Sequence, residues 1–188
     1  MQISIEKTSI KDLIIVKPEI FRDERGFFSE VYRKDQFEEL GVPSQFVQLN
    51  HSASQKNVLR GLHFQWDPPM GKLMRVTVGT AYLVAVDIRK DSPTFGKSLG
   101  FEVSAENGLN IWAPAGFARG FCVLSDYAEL QYLCTGVYNS LGEGGILWND
   151  SEIGIEWPVH DPILSEKDNQ AEPLKDWLKR EESDFFKY

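Results

Sequence analysis

The sequence predicts a mainly β protein, a sandwich or barrel with short helices at its flanks. In the middle of the 188-residue chain, apolar and polar residues alternate with a period of two, which is typical of strands that bury one face. The strand candidates are short, closely spaced and separated by turn residues. This spacing favours an antiparallel sandwich or barrel over alternating strands and helices.

The clearest strand pattern lies on either side of Gly79. Met74, Val76 and Val78 alternate with polar residues before this glycine, and residues 82–87 continue the alternation after it. Because glycine readily forms turns, the pattern predicts a hairpin with at least one apolar face. Further strands are predicted at Leu99–Val103, Asn110–Ala113, Phe117–Leu124 and Glu129–Val137, separated by turn signals at Asn107-Gly108, Pro114-Ala115-Gly116 and Ser125-Asp126.

Helical patterns are confined to the flanks. Asp35–Leu40 is followed by Gly41, which would end a short helix, and Pro173 suits the first turn of a second helix. In that second helix Leu174, Trp177 and Leu178 would share a face. The length and the 42% hydrophobic content fit one domain over residues 1–188, with a helical tail at about 172–188.

The sequence predicts a cytoplasmic protein. Its apolar runs fall far short of the roughly 20 residues needed to span a bilayer. The first residues also lack the basic start and apolar middle of a secretory signal. Cys122 and Cys134 lie in apolar, strand-like surroundings without Cys-x-x-Cys spacing, so we expect two buried thiols.

The charge balance excludes some classes of partner. A net charge of −8 and a pI near 4.9 argue against binding to nucleic acid or to an anionic membrane surface. Even so, Arg60, Lys72, Arg75 and Arg119 fall in or beside the strand-rich middle. Each alone fits an ordinary surface cation, but together they allow a local pocket for a small anion such as a sugar phosphate or a nucleotide.

Arg60-Gly61-Leu62-His63, with Gly71-Lys72 shortly after it, indicates acid–base chemistry. This stretch sets an imidazole and an ammonium group near the start of a predicted sheet, where a base and an oxyanion partner can share one substrate. Phosphate-binding loops, dinucleotide fingerprints and serine-hydrolase elbows are absent. Phe64-Gln65 follows His63 where a metal site would need a second histidine, so we expect neither a metal nor another cofactor.

The chain resembles the nucleotide-sugar 3,5-epimerases of dTDP-L-rhamnose biosynthesis, the dTDP-4-dehydrorhamnose 3,5-epimerase family. The matching motifs run in the family's order over about residues 20–170. They are Asp23–Glu30, Gln48–Ser52, Val58–Gln65, Gly71–Leu73, Val86–Arg89, Ser92–Gly96, Pro114–Ala118, Trp148–Asp150 and Leu164–Asp168.

The resemblance implies a cupin-type double-stranded β-helix jelly roll without a metal, assembled as a homodimer. It also implies an isomerase that acts on a dTDP-linked 4-keto-6-deoxyhexose and inverts C3 and C5 through enolates. By the same resemblance His63 is the base and Asp168 the carboxylate that orients it. Lys72 faces the enolate oxygen, and Tyr132 returns a proton from the opposite side of the sugar ring. On pattern alone, the first interpretation of Tyr132 is a packed strand aromatic and that of Asp168 is a solvated residue, and Lys72 also fits a loop cation.

The family's substrate contacts extend the site beyond these four residues. The Arg25–Glu30 segment is implied to reach into the partner subunit's pocket, and the guanidinium groups of Arg25 and Arg60 suit a pyrophosphate. Phe27 offers a flat face for the base. The implied contacts are Arg25, Phe27, Glu30, Gln48, Asn50, Arg60, Glu143 and Lys167.

One position departs from the family pattern. Where the family has Gly-Phe-Ala-His-Gly-Phe, this chain has arginine as its fourth residue, Arg119, a permanent cation that we assign to substrate binding. The full 3,5-epimerase is the leading hypothesis. A mono-epimerase of C3 or C5, an epimerase of a CDP- or GDP-linked 4-keto sugar, and a non-catalytic cupin that binds a nucleotide sugar remain as alternatives.

Overall fold

The computed structural model describes residues 1–188, which form thirteen strands and three short α-helices. The strands are β1 (Ile3–Lys7), β2 (Ile14–Pro18), β3 (Ile20–Asp23), β4 (Gly26–Ser29), β5 (Gln48–Gln55), β6 (Leu59–Gln65), β7 (Lys72–Val78), β8 (Thr80–Asp87), β9 (Ser98–Ser104), β10 (Asn110–Ala113), β11 (Phe117–Val123), β12 (Tyr127–Cys134) and β13 (Glu143–Gly145). The helices are α1 (Lys34–Glu39), α2 (Glu166–Asn169) and α3 (Leu174–Trp177), followed by a 3₁₀ helix (Glu181–Phe186).

Two antiparallel sheets form the body of the fold. A six-stranded sheet has the order β1-β2-β10-β7-β12-β5, and a five-stranded sheet has the order β13-β6-β11-β8-β9. Strands β3 and β4 make a separate hairpin. The mainly β prediction, with two facing sheets and short flanking helices, is confirmed.

The predicted hairpin around Gly79 is wrong. Strand β7 pairs with β10 and β12 in one sheet, whereas β8 pairs with β9 and β11 in the other, so the chain crosses between sheets at Gly79. Gly79 has a φ of +74°, and a Cβ there would lie 2.1 Å from the Tyr127 carbonyl oxygen, so the crossing requires glycine. Alternation located both strands, but β8 is largely buried on both faces and Val78 of β7 is 43% exposed. The pattern also carries no information about which strands pair.

Three apolar clusters hold the layers together. Between the sheets, Met74 and Val76 of β7 pack in one core with Leu83 and Phe121 of the other sheet. A second cluster on the outer face of the five-stranded sheet includes Trp177 of α3 and Phe186 of the 3₁₀ helix, so the tail covers that face. A third cluster places Phe37 of α1 against the outer face of the six-stranded sheet.

The other sequence-based predictions differ from the structure only in detail. The strand at Asn110–Ala113 has the predicted bounds, and the remaining three predicted strands differ from β9, β11 and β12 by one to three residues at an end. Helix α1 begins one residue early and precedes Gly41, which has a φ of +71°. Both cysteines are free and buried, as expected. None of the helices has the length and apolar character that crossing a membrane requires.

Candidate active site

A cavity of about 150 Å³ lies between the two large sheets. The five-stranded sheet contributes Arg60 and His63 from β6 and Arg119 from β11, whereas the six-stranded sheet contributes Lys72 from β7 and Tyr132 from β12. The rest of the lining is apolar or glycine, and no carboxylate lines the cavity. The structure therefore brings together, in one cavity, five residues that the sequence motifs had singled out separately.

Glycines on β6 and β11 let the two strands approach closely beside the cavity. A Cβ on Gly61 would lie 2.6 Å from Gly120 Cα, so neither position accommodates a side chain. The register of the two strands shifts at this point, and His63 pairs directly with Arg119. The glycine of the Arg60–His63 motif thus explains how an imidazole and a guanidinium come to lie side by side.

His63 and Asp168 form an imidazole–carboxylate pair. The His63 Nε2–H donates to Asp168 Oδ1 at 2.5 Å, which leaves Nδ1 as the ring nitrogen available to a substrate. Asp168 is 4% exposed on α2, where its own N–H donates to the Ser165 hydroxyl at 3.1 Å. Burial by itself would raise the pKa of Asp168, but its hydrogen bond and charge interaction with His63 outweigh burial and hold this pKa below the usual value. The carboxylate stays charged and stabilises a protonated imidazole.

Lys72 and Tyr132 occupy the opposite wall of the cavity. The Lys72 ammonium lies over the Tyr132 ring, 5.1 Å from its centroid. Burial, reinforced by the positive charge of Arg119, lowers the pKa of Lys72 to about 8. Burial also raises the pKa of Tyr132, so the phenol keeps its proton and can donate it.

Arg119 lies almost fully buried in the wall of this cavity. The residue is 3% exposed, and burial lowers the pKa of its guanidinium to about 10. Its Nε donates to the Phe117 carbonyl oxygen and its Nη2 to the Met70 carbonyl oxygen, both at 2.9 Å. Its Nη1 is buried without a hydrogen-bond partner.

Arg60, Gln48 and Asn50 surround this site. The Arg60 Nε donates to the Ser54 hydroxyl at 3.0 Å, which fixes the guanidinium at the edge of the cavity. Asn50 pairs with Tyr132 across β5 and β12, and the Gln48 side-chain amide donates to Asn50 Oδ1 at 2.8 Å. Sequence reasoning found the three substrate-contact candidates, but it missed Ser54.

Glu143 and Lys167 lie on the Asp168 side of His63. The Lys167 Nζ and the Tyr138 hydroxyl both donate to Glu143 Oε1, at 2.5 and 2.8 Å. Burial favours a higher pKa for Glu143, but these two donors outweigh it and keep the pKa low. A second cavity of about 280 Å³ is lined in part by Lys167, Asp168, His63 and Arg60, so His63 and Arg60 border both spaces.

Arg25, Phe27 and Glu30 lie away from both cavities of this chain. Arg25 and Phe27 belong to the β3–β4 hairpin, where Arg25 pairs with Asp23 and Phe27 is 58% exposed. Glu30 follows the hairpin and contacts Arg33 at 3.4 Å. A single chain thus does not bring these three residues to His63.

Two further residues were missed by sequence reasoning. Ser165 caps α2 and so positions Asp168, and the serine three residues before an acidic residue is a recognisable helix-start signal. Tyr138, which donates to Glu143, carries no distinguishing signal in the sequence. The structure places no group of three or more His, Cys, Asp or Glu side chains where they could hold a metal ion.

A jelly roll with an imidazole–carboxylate pair on one side of its cavity and a phenol and an ammonium group on the other has the groups of a cupin-type isomerase that moves protons to and from carbon. The model of the dTDP-4-dehydrorhamnose 3,5-epimerase family matches residues 7–176. The chain belongs to this family, as its motifs predicted.

Individual relatives agree with this assignment. The chain is 56% identical over 173 residues to dTDP-4-dehydrorhamnose 3,5-epimerase of Salmonella typhimurium strain LT2, a match that covers 90% of this chain and 94% of the relative. It is similar to the 3,5-epimerase of Legionella pneumophila solved with dTDP-4-keto-L-rhamnose, with a TM-score of 0.89, 45% identity and coverage of 93% and 94%. A 3'-monoepimerase of Streptomyces bikiniensis, solved with dTDP-quinovose, shares the fold at a TM-score of 0.86, 32% identity and coverage of 92% and 88%.

Proposed function

We propose that the protein is a dTDP-4-dehydrorhamnose 3,5-epimerase. It would convert dTDP-4-dehydro-6-deoxy-D-glucose into dTDP-4-dehydro-L-rhamnose by inverting C3 and C5. The observation that carries the proposal is the pairing of His63 with Asp168 on one side of a cavity whose other side holds Tyr132 and Lys72. Epimerisation needs a base and an acid on opposite faces of the sugar, and this cavity offers both.

The chemistry follows from the ketone at C4. Hydrogens on C3 and C5 are acidic because both carbons flank the carbonyl group, and loss of either hydrogen gives an enolate whose charge lies on the C4 oxygen. His63 Nδ1 takes the proton, and Asp168 stabilises the imidazolium that forms. Lys72 stabilises the charge on the C4 oxygen. Tyr132 then delivers a proton to the opposite face of the same carbon, which inverts it.

The nucleotide diphosphate would bind outside the sugar cavity. Arg60 supplies positive charge where the two cavities meet and Lys167 supplies it in the outer one, and a guanidinium offers paired donors to phosphate oxygens. Gln48, Asn50 and Glu143 provide amide and carboxylate groups around the same entrance. The sugar of a dTDP-linked substrate would occupy the inner cavity, and its diphosphate would meet the cations at the entrance.

A homodimer would complete the site. Arg25 and Phe27 stand exposed on the β3–β4 hairpin, and Leu49 is exposed on β5, an edge strand of the six-stranded sheet. We propose that each hairpin reaches the partner's cavity, where Arg25 and Glu30 contact the substrate and Phe27 stacks on the base. Light scattering should then give a mass twice the 21.4 kDa of the chain.

We further propose that residues 1–188 act as one domain in the cytoplasm. The two free, buried thiols suit a reducing compartment. The core between the sheets and the tail packed on the outer face give the chain a continuous framework.

Turnover of dTDP-4-dehydro-6-deoxy-D-glucose in heavy water tests the function. Each inversion exchanges one carbon-bound hydrogen for solvent deuterium, so a 3,5-epimerase introduces two deuterium atoms per product sugar, at C3 and C5. A single deuterium would identify a mono-epimerase, which is the activity of the Streptomyces bikiniensis relative. Tight binding without any exchange would identify a binding protein, and exchange only with a CDP- or GDP-linked sugar would reassign the nucleotide.

A further inference from the structure

Arg119 is the cavity residue whose hydrogen bonding the protein leaves incomplete. Two of its nitrogens donate to backbone carbonyl oxygens, whereas the buried Nη1 has no partner. No other residue that lines this cavity has a buried side-chain nitrogen or oxygen without a partner. Because an unpaired buried donor is costly, an acceptor atom of a ligand is the natural partner for this nitrogen.

The position of Arg119 restricts which part of a nucleotide sugar can supply that acceptor. Arg119 pairs in register with His63 on the neighbouring strand and both line the cavity, so the buried Arg119 belongs to the same wall as the proposed base. Arg60 is exposed and borders both cavities, so a diphosphate at the entrance meets Arg60 first. An oxygen that reaches Arg119 must therefore belong to the sugar, close to the carbons that react.

We propose that Arg119 is a second donor to the C4 oxygen of the sugar, so that Lys72 and Arg119 hold the enolate between them, one from each sheet. This inference rests on the proposed function, because it assigns a role within the same reaction. It makes Arg119 a catalytic residue, since its guanidinium touches an atom whose charge changes.

The two cations act on the rate more than on binding. No carboxylate lines the cavity, so neither cation has a counterion there before the substrate enters. The C4 oxygen is neutral in the ketone and negatively charged in the enolate. Donors whose attraction to this oxygen grows as its negative charge develops stabilise the transition state more than the bound ketone. They therefore lower the barrier to reaction more than they strengthen substrate binding.

A pair of substitutions separates this role from phosphate binding. In heavy water, Arg119→Met should slow exchange at both C3 and C5 by about 10² to 10³, the usual effect of losing one oxyanion donor. Its affinity for dTDP, measured by calorimetry, should stay within about threefold of wild type, a difference well under 1 kcal/mol. Arg60→Met is the matched control, and we expect it to weaken dTDP binding by about tenfold or more.

These measurements distinguish a wrong proposed function from a wrong assignment of Arg119. If the wild type exchanges neither hydrogen, the proposed function is wrong. If the wild type exchanges both and Arg119→Met does so at the same rate, only the assignment of Arg119 is overturned. A large loss of dTDP affinity in a folded Arg119→Met protein would place the guanidinium on the diphosphate and overturn the assignment too. Should Arg119→Met not fold, Arg119→Gln carries the test, since it removes the charge but keeps an amide donor for a backbone carbonyl oxygen, and exchange at the wild-type rate would overturn the assignment.

Lys72 supplies a readout of whether the two cations lie close enough to share one oxygen atom. Burial and then the charge of Arg119 lower the pKa of Lys72 to about 8, so its cationic form is lost above that pH and kcat/KM should fall there. Arg119→Met removes a neighbouring like charge, which raises this pKa and moves the fall to higher pH, whereas Arg60→Met should leave it in place. An unmoved fall in Arg119→Met would contradict the proximity of the two cations, on which a shared oxygen depends, and would overturn the assignment. The groups that act on Lys72 from the surrounding elements are Arg119, Cys134, Glu143, Lys167 and the ring of Tyr132.

Discussion

Replacing Asp168 by asparagine tests the imidazole–carboxylate pair directly. The substitution keeps the size of the side chain but removes the charge that lies 2.5 Å from His63 Nε2. When His63 takes a proton from the sugar, an imidazolium forms, and in the variant no carboxylate stabilises it. The amide can also donate to Nε2, which would favour the wrong ring tautomer.

The structure sets the size of the effect. With the charge centres of the imidazolium and the carboxylate taken as about 4 Å apart, the two attract by about 4 kcal/mol at an effective dielectric constant of about 20. A barrier higher by this energy slows the reaction by a factor of about 10³. Asp168 is buried, but 34% of the His63 side chain is exposed, so solvent screens part of the attraction. We therefore expect Asp168→Asn to lower the exchange rate at C3 and C5 by about 10² to 10³.

The assay is deuterium incorporation into dTDP-4-dehydro-6-deoxy-D-glucose, followed by NMR at saturating substrate. Asp176→Asn is the matched control, because Asp176 is a carboxylate paired with Lys179 on the surface of the tail, and its exchange rate should equal that of the wild type. Calorimetry with dTDP shows whether the Asp168 variant remains folded and binds. Exchange within about threefold of wild type in a folded variant, under 1 kcal/mol of barrier, would refute the role assigned to Asp168.

Four further outcomes are expected. His63→Ala should abolish exchange at both carbons while dTDP still binds, and substantial exchange measured by mass spectrometry would remove His63 as the base. Tyr132→Phe should still release hydrogen from the sugar but invert poorly, so NMR should show deuterium returned to unchanged substrate; full epimerisation by this variant would exclude Tyr132 as the acid. Phe27→Ala should lose about tenfold or more in kcat/KM alone because base stacking is lost, but should regain about a quarter to a half of wild-type kcat/KM when mixed and reassembled with His63→Ala, because one site per mixed dimer is intact; no recovery would contradict a shared site. Gly79→Ala should lower the free energy of unfolding by more than about 1 kcal/mol in urea titrations, because φ there is +74° and the new Cβ meets the Tyr127 carbonyl oxygen; an unchanged midpoint would contradict the tight crossing.

The sequence predicted the strands more reliably than their partners. The apolar residues of β7 and β8 recur with the period of a strand, which is a local property, so both strands could be located even though β8 is largely buried on both faces. Which sheet each strand joins depends on its pairing with β10, β11 or β12. The residues around Gly79 contain no pattern that indicates this pairing. The short helix α2 was missed because four residues make too short a periodic signal.

The candidate site was accessible to sequence reasoning only in part. His63 and Lys72 stood out because residue type and spacing suggested a base beside a cation. Asp168 lies 105 residues after His63, and only the resemblance to a family joined the two before the structure showed their contact. The unpaired Nη1 of Arg119 could not be predicted from the sequence. It depends on the positions of two backbone carbonyl oxygens, which accept hydrogen bonds from Nε and Nη2 but not from Nη1.

The two-sheet architecture explains how one cavity can hold an acid and a base without letting them neutralise each other. His63 and Tyr132 belong to different sheets, and the core residues between those sheets hold them on separate walls. A sugar ring placed between the walls shows one face to each, so a proton removed by one group is replaced by the other on the opposite face. Since C3 and C5 flank the same carbonyl group, the proposed contacts of Lys72 and Arg119 with that oxygen would serve both inversions.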